Sequence, residues 1–227
     1  MLINYRFKFP DGLEESFSVE LDDATLGYRA PAGATPPAWT ALGNHQCENC
    51  PLKAEKSPLC PVAANLAPAI DRFVNHLSYE EVDVWVTTPA RQYFKHVSLQ
   101  KAVSGLFGLI MASSGCPILD KLRPMTMTHL PFAEMEETRY RATSMYLFAQ
   151  FFRARKGLPA DWDLTGLGQI EAEIGQVNRD FVDRVRSVPM QDANLNALVN
   201  LDCFLMPTPG MLDRSLKKLE RLFAPYL

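Results

Sequence analysis

Long apolar runs are missing from this chain. The most apolar stretch, Leu106 to Ala112, has Lys101 just upstream and is far shorter than the roughly 20 residues that cross a bilayer, so no membrane association is expected. The N-terminus also lacks a charged segment followed by an apolar one. Met1-Leu2-Ile3-Asn4-Tyr5-Arg6-Phe7-Lys8 alternates polar and apolar residues, which excludes a secretory signal there and points to a cytoplasmic protein. Charge of one sign is lacking as well. With 23 Lys and Arg against 26 Asp and Glu, a net charge of -3 and a pI near 5.8, the chain has no overall basic surface to neutralise phosphates, and no nucleic-acid partner is expected. Gly-x-x-x-x-Gly-Lys, Gly-x-Gly-x-x-Gly and Gly-x-Ser-x-Gly segments are absent, which removes the main sequence support for common nucleotide-binding and hydrolase classes. There is no internal repeat, and no low-complexity tract beyond a short linker near Pro36-Pro37.

What remains is an ordinary globular composition, 47% hydrophobic and 22% charged over 227 residues. A chain of this length buries roughly 70% of its unfolded surface, enough for a core without covalent staples. Residues 1–30 read as a β-hairpin region. Ile3, Tyr5, Phe7 and Phe9, then Phe17, Val19 and Leu21, alternate on either side of the turn tripeptide Pro10-Asp11-Gly12, the pattern of two half-buried strands. A linker from Ala30 to Pro37 leads into the cysteine-containing loop of residues 38–61. Residues 62–227 read as a mainly helical body, with a strand near 82–87 where Val82, Val84 and Val86 alternate with Asp83, Trp85 and Thr87.

Within that body, Val62, Leu66, Ile70, Phe73 and Leu77 recur at helical spacing, with a bend expected at Pro68. Thr88-Pro89 has the signature of a helix start, and Ser98 that of a cap for a helix running to Gly115. A long helix is expected from about Phe132 to Lys156, with Glu134, Glu136 and Glu137 at its start and Arg153, Arg155 and Lys156 at its end, both suited to the helix dipole. Leu167, Ile170, Ile174, Val177, Phe181, Val185 and Val188 mark another, closed by Pro189; a shorter one covers Leu195 to Leu205, and Thr208-Pro209 caps the last. The expected fold is one domain over 1–227, of class α+β and predominantly α-helical: a bundle-like body with a small antiparallel sheet and a cysteine-rich metal loop.

The chemistry concentrates in that loop. Cys47 and Cys50 stand at Cys-x2-Cys spacing, Cys60 follows, and His45 is adjacent. Thiolates so spaced let a soft metal ion gather ligands from a short segment. The chain's five cysteines, an odd number, do not make a complete disulfide framework. A tetrahedral zinc site needs a fourth ligand, either His45 or Cys116. Cys116, in Gly115-Cys116-Pro117, resembles Cys60 in preceding a proline at an expected helix start, where free N–H groups and the positive dipole end favour thiolate. With Cys116, all four ligands are sulfur, and an iron–sulfur cluster becomes an alternative to zinc. Cys116 could also be a nucleophile with His129 or Glu134 as base, although a cysteine in such a turn is more often structural. A thioredoxin-type dithiol fits poorly, because Pro51 follows the Cys47–Cys50 pair instead of lying within it.

Three other groupings carry weaker signals. Met125-x-Met127-x-His129 on an extended segment would suit Cu(I), but core packing is the commoner use of such methionines. Arg91, Lys95, His96 and Lys101, interleaved with Tyr93 and Phe94, form a basic and aromatic concentration that would suit a small anionic ligand, or else a solvated face. Glu134, Glu137 and Arg139 share a long helix, yet the Glu-x-x-His partner of a di-iron site is absent.

Taken together, Asn44-His45-x-Cys47-x2-Cys50-Pro51-Leu52, Leu59-Cys60-Pro61-Val62, Ser114-Gly115-Cys116-Pro117 and His129-Leu130-Pro131-Phe132 resemble a family of uncharacterised bacterial proteins of unknown function. The resemblance covers most of the chain. It implies a bacterial, cytoplasmic protein and lends no reaction, ligand or fold. The residues therefore lead to a metal-binding cytoplasmic interaction or regulatory protein, with zinc held by Cys47, Cys50, Cys60 and either His45 or Cys116, and with a protein partner or small anionic ligand. The alternative is a redox or thiol enzyme that uses an iron–sulfur cluster or a reactive Cys116.

Overall fold

The computed structural model describes residues 1–31, 33, 35–205 and 211–227, with side chains omitted at 202–205 and 211–215. Two N-terminal strands, β1 (Leu2–Lys8) and β2 (Glu14–Glu20), form the expected hairpin, and β3 (Glu81–Thr87) joins the free edge of β1. A fourth strand, β4 (Gln92–Ser98), closes the order β2-β1-β3-β4, antiparallel throughout. This corrects the reading of Thr88-Pro89 as a helix start. Thr88 instead forms a tight turn, its N–H donating to the Arg91 carbonyl at 2.8 Å and its Oγ1 accepting from the Arg91 N–H at 3.0 Å.

Alternation decides which face of the sheet is covered. Ile3, Tyr5, Phe7, Val19, Val82, Val84 and Val86 are all buried on one side, while Arg6, Trp85 and Phe94 stack on the other, the guanidinium carbon 4.1 Å from the Trp85 ring centre. The buried side meets α1 (Pro61–Arg72) and α2 (Leu99–Ser113). Phe73, just past the end of α1, sets its ring edge-on to Phe7 at 5.0 Å, and full burial of such a side chain contributes about 2–3 kcal/mol. The helix runs on through Pro68 and ends at Arg72, short of the expected Leu77. Ser98 occupies the N-cap of α2 as expected, and Gly115, at φ 86, turns the chain away after its last residues.

A 3-10 segment, Leu119–Thr128, follows. The long helix α3 (Met135–Arg155) begins with a capping box: Glu134 caps the Glu137 N–H, and the Glu137 carboxylate accepts the Glu134 N–H at 2.8 Å. These carboxylates serve the helix end rather than a di-iron site. The helices α4 (Thr165–Arg186) and α5 (Ala193–Leu205) come next, with α5 packed on both α2 and α4. The last helix, α6 (Met211–Glu220), follows the expected Thr208-Pro209 cap, which itself falls outside the described residues. The α+β class and the small antiparallel sheet agree with expectation. The metal loop is not seen as such, for no group of three or more His, Cys, Asp or Glu among the described residues is placed to hold a metal ion. No described helix is long and apolar enough to cross a membrane.

Candidate functional site

Residues 38–61 form an irregular loop, stiffened by a 3-10 turn at Ala38–Thr40 and an isolated antiparallel bridge between Ala41 and Leu59. The loop is fastened to α4 by a single fully buried guanidinium. Arg184 Nη1 donates to the carbonyls of Trp39 and Ala41 at 3.1 and 2.7 Å, and Nη2 to those of Leu42 and His45 at 3.0 and 3.3 Å. No carboxylate pairs with it among the described residues, so loop carbonyls carry the burden of solvating the charge. Two further bonds hold the tip: Glu48 N–H donates to Asp180 Oδ2 at 3.0 Å, and Asn49 Nδ2 to the Glu173 carbonyl at 2.9 Å.

This clamp presents Cys47 and Cys50 to the core. Both are half-buried against it, and a 3.0 Å bond from Cys50 N–H to the Cys47 carbonyl closes the turn between them. Cys60 is buried at the N-cap of α1 with Pro61 in the first turn, as its sequence position predicted. Cys116 is buried below the end of α2, and its N–H donates to Ser114 Oγ at 3.3 Å. Backbone N–H groups of Leu119 and Ile118 act on its sulfur, although Pro117 lies in a turn ahead of the 3-10 segment and does not open a helix as expected.

Four thiols from three separated stretches thus come within reach of one another's charge. Burial pushes the Cys47 thiol up to about 12, with further upward pressure from Cys60, Asp180, Cys50 and Cys116, in that order. Burial likewise raises Cys116, the backbone N–H bonds pull it back, and Cys60 and Cys50 raise it again. Anions crowded in this way are unfavourable unless a cation joins them, and a soft metal reverses the sign of the interaction. All four cysteines are free thiols.

The two candidates for fourth ligand differ in setting, Cys116 being buried and His45 exposed. His45 is exposed, sits at a left-handed φ of 46, and uses its carbonyl on Arg184; it is not among the groups that act on the Cys47 sulfur. The proposed nucleophile arrangement is not assembled either. Burial raises the Cys116 thiol, opposite to what a nucleophile needs, and His129 Nε2 is hydrogen-bonded to the Tyr5 hydroxyl at 2.6 Å. The Met125, Met127 and His129 grouping is likewise dispersed. Met125 and Met127 lie in the 3-10 segment rather than an extended one, and Met127 is exposed.

The basic concentration is split. Arg91 is exposed at the turn before β4, and His96 Nδ1 is bonded to Asp83 Oδ1 at 2.8 Å. Lys95 and Lys101 instead line a cavity of about 280 Å³ with His129 and Arg141. Sequence reasoning missed Arg184 and Arg141. For Arg184 a signal existed, because it lies seven residues after Val177 and three after Phe181, within the apolar stripe of α4. A cation at a core position needs a buried partner.

A family model described as a domain of unknown function (DUF6901) matches residues 3–224. No curated protein and no solved structure matches. The chain belongs to that family, which agrees with the resemblance seen in the cysteine and proline motifs.

Proposed function

We propose that this member of the family is a metal-binding protein whose Cys47, Cys50, Cys60 and Cys116 form one four-sulfur centre. The observation that supports the reading is the approach of those thiols from the loop, the start of α1 and the turn after α2, all four belonging to or packed against one buried core and Cys47 and Cys116 both acted on by Cys60 and Cys50. The donor set is soft and anionic, which suits zinc or iron–sulfur and disfavours magnesium or calcium. Zinc closed by four thiolates would pin the loop to the helical body and shape a surface for a protein partner, as befits an interaction or regulatory protein in a reducing, cytoplasmic setting.

One observation favours a second reading. A single zinc ion holds sulfur at about 2.3 Å and so draws its ligands into close contact, yet no three donors among the described residues are grouped for a single ion. A four-iron cluster interposes its own inorganic core and takes more widely spaced cysteines, and its role would be electron transfer or redox sensing. Protein purified anaerobically without affinity-tag metals separates the readings by metal content and visible absorption. Colourless protein with about one zinc per chain supports the first; brown protein with about four irons supports the second. Less than about half an equivalent of either metal defeats the four-sulfur centre itself.

A further inference from the structure

The cavity shared by Lys95, Lys101 and Arg141 is independent of the cysteine centre, and its construction is that of a ligand site. Its walls come from β4, α2, the 3-10 segment, the 129–134 link, α3 and α5. Leu109, Leu122 and Leu201 are among the residues that give it an apolar lining. Three cations from three different elements stand against this lining, and the only carboxylate among the lining residues is Glu134, 3.9 Å from the Lys95 ammonium. A mainly apolar pocket with a few convergent polar groups is the usual form of a small-molecule site.

Two of the three cations, Lys101 and Arg141, are placed at some cost to the protein. Lys101 occupies the first turn of α2, which carries no acidic residue, although a helix start disfavours positive charge. It has no hydrogen-bond or carboxylate partner among the described residues. Arg141 donates Nη2 to the carbonyls of Met125 and Thr128 at 2.7 and 2.9 Å, with no hydrogen bond from Nη1 among the described residues; burial disfavours its charge more than Tyr93 and Glu137 favour it. Lys95 lies over the Phe132 ring at 5.9 Å. Phe132 itself has a φ of 61, a left-handed conformation that a bulky residue adopts only at a cost and that is common at ligand sites. The Thr126 and Thr138 side chains add hydroxyls to the same wall.

A group of three cations that faces a single carboxylate among the lining residues, beside an apolar lining, recognises an oxyanion attached to a short hydrocarbon body. We propose that this cavity binds a small organic anion, a carboxylate or phosphate monoester, whose head group meets Lys95, Lys101 and Arg141 and whose body lies against the leucines. Arg91 and His96 take no part. At about 280 Å³ the space suits a small metabolite rather than a nucleotide, since sites for larger ligands extend to about 1,000 Å³.

The test uses the full chain with butyrate, butyl phosphate and inorganic phosphate, each compared with sodium chloride at equal ionic strength. At least one of the two organic anions should raise the melting temperature saturably, with a Kd of about 1 mM or tighter, and should bind more tightly than inorganic phosphate. The comparison of butyrate with butyl phosphate identifies the head group. Lys101→Glu and Lys95→Glu change exposed side chains and should leave the fold intact while weakening binding about tenfold or more. Stabilisation no greater than that given by sodium chloride overturns the proposal, and so does saturable binding that both variants leave unchanged. Metal content is read separately, so failure here does not bear on the four-sulfur centre.

Discussion

At the scale of single residues, two side chains report on their surroundings. A Cβ at Gly166 would lie 2.2 Å from the Tyr146 hydroxyl and 2.9 Å from Asp161 Oδ2, and neither can yield freely, because Tyr146 donates to that oxygen at 2.6 Å and the Gly166 N–H donates to it at 2.7 Å. Gly166→Ala should therefore destabilise the protein by about 1–3 kcal/mol in urea denaturation, and by less when Tyr146→Phe removes the obstructing hydroxyl. His129 makes a pH prediction. Desolvation, with help from Arg141, lowers its pKa from 6.5 to about 3, so it remains neutral in its hydrogen bond with the Tyr5 hydroxyl. Between pH 6.5 and about 3 the unfolded chain binds a proton there that the folded chain refuses, so stability must fall as the pH falls through this window. Denaturant midpoints for wild type and His129→Gln should show the variant losing part of that slope; an identical slope would contradict it. This was not legible beforehand, since a histidine before Leu130-Pro131 carries no mark of its hydrogen-bond partner, the tyrosine 124 residues earlier.

At the scale of elements, legibility followed burial. β1, β2 and β3 could be read because one face of each is apolar and covered. β4 could not, because among its residues only Val97 is buried, and its strand form comes from pairing with β3 rather than from alternation of its own. The same limit hid two buried charges that join elements. Arg184→Met should cost about 2–4 kcal/mol by removing the donors to the Leu42 and His45 carbonyls and one of two donors to those of Trp39 and Ala41, which keep Asn44, and Arg184→Lys should rescue little, because an ammonium cannot reproduce the guanidinium fork. Limited proteolysis should then cut first between residues 38 and 60. Arg139 on α3 pairs with Glu171 on α4, both almost wholly buried, while Arg139 Nε and Nη2 find no partner among the described residues. Glu171→Gln alone should destabilise by about 3–5 kcal/mol, whereas replacing both residues with apolar ones of similar size should cost far less. Equal losses in the single and double variants would count against that.

At the scale of the whole molecule, the cysteine motif was legible as a set of candidate ligands but not as a place. Spacing alone nominated Cys47, Cys50 and Cys60 and left His45 and Cys116 as equals; in the fold His45 is exposed and Cys116 is buried at the turn after α2. The anion cavity was less legible still, because its cations come from β4, α2 and α3 and only tertiary packing assembles them. If the four-sulfur centre ties loop, α1 and α2 together, then its metal stabilises the whole fold, and a chelator should lower the melting temperature of wild type while leaving metal-free variants unmoved. The most direct measurement is the metal content of Cys116→Ser and His45→Ala beside wild type, all purified alike. Cys116→Ser should lose most of the bound metal and His45→Ala should keep it; the reverse pattern, or full occupancy in both, would contradict a centre closed by Cys116.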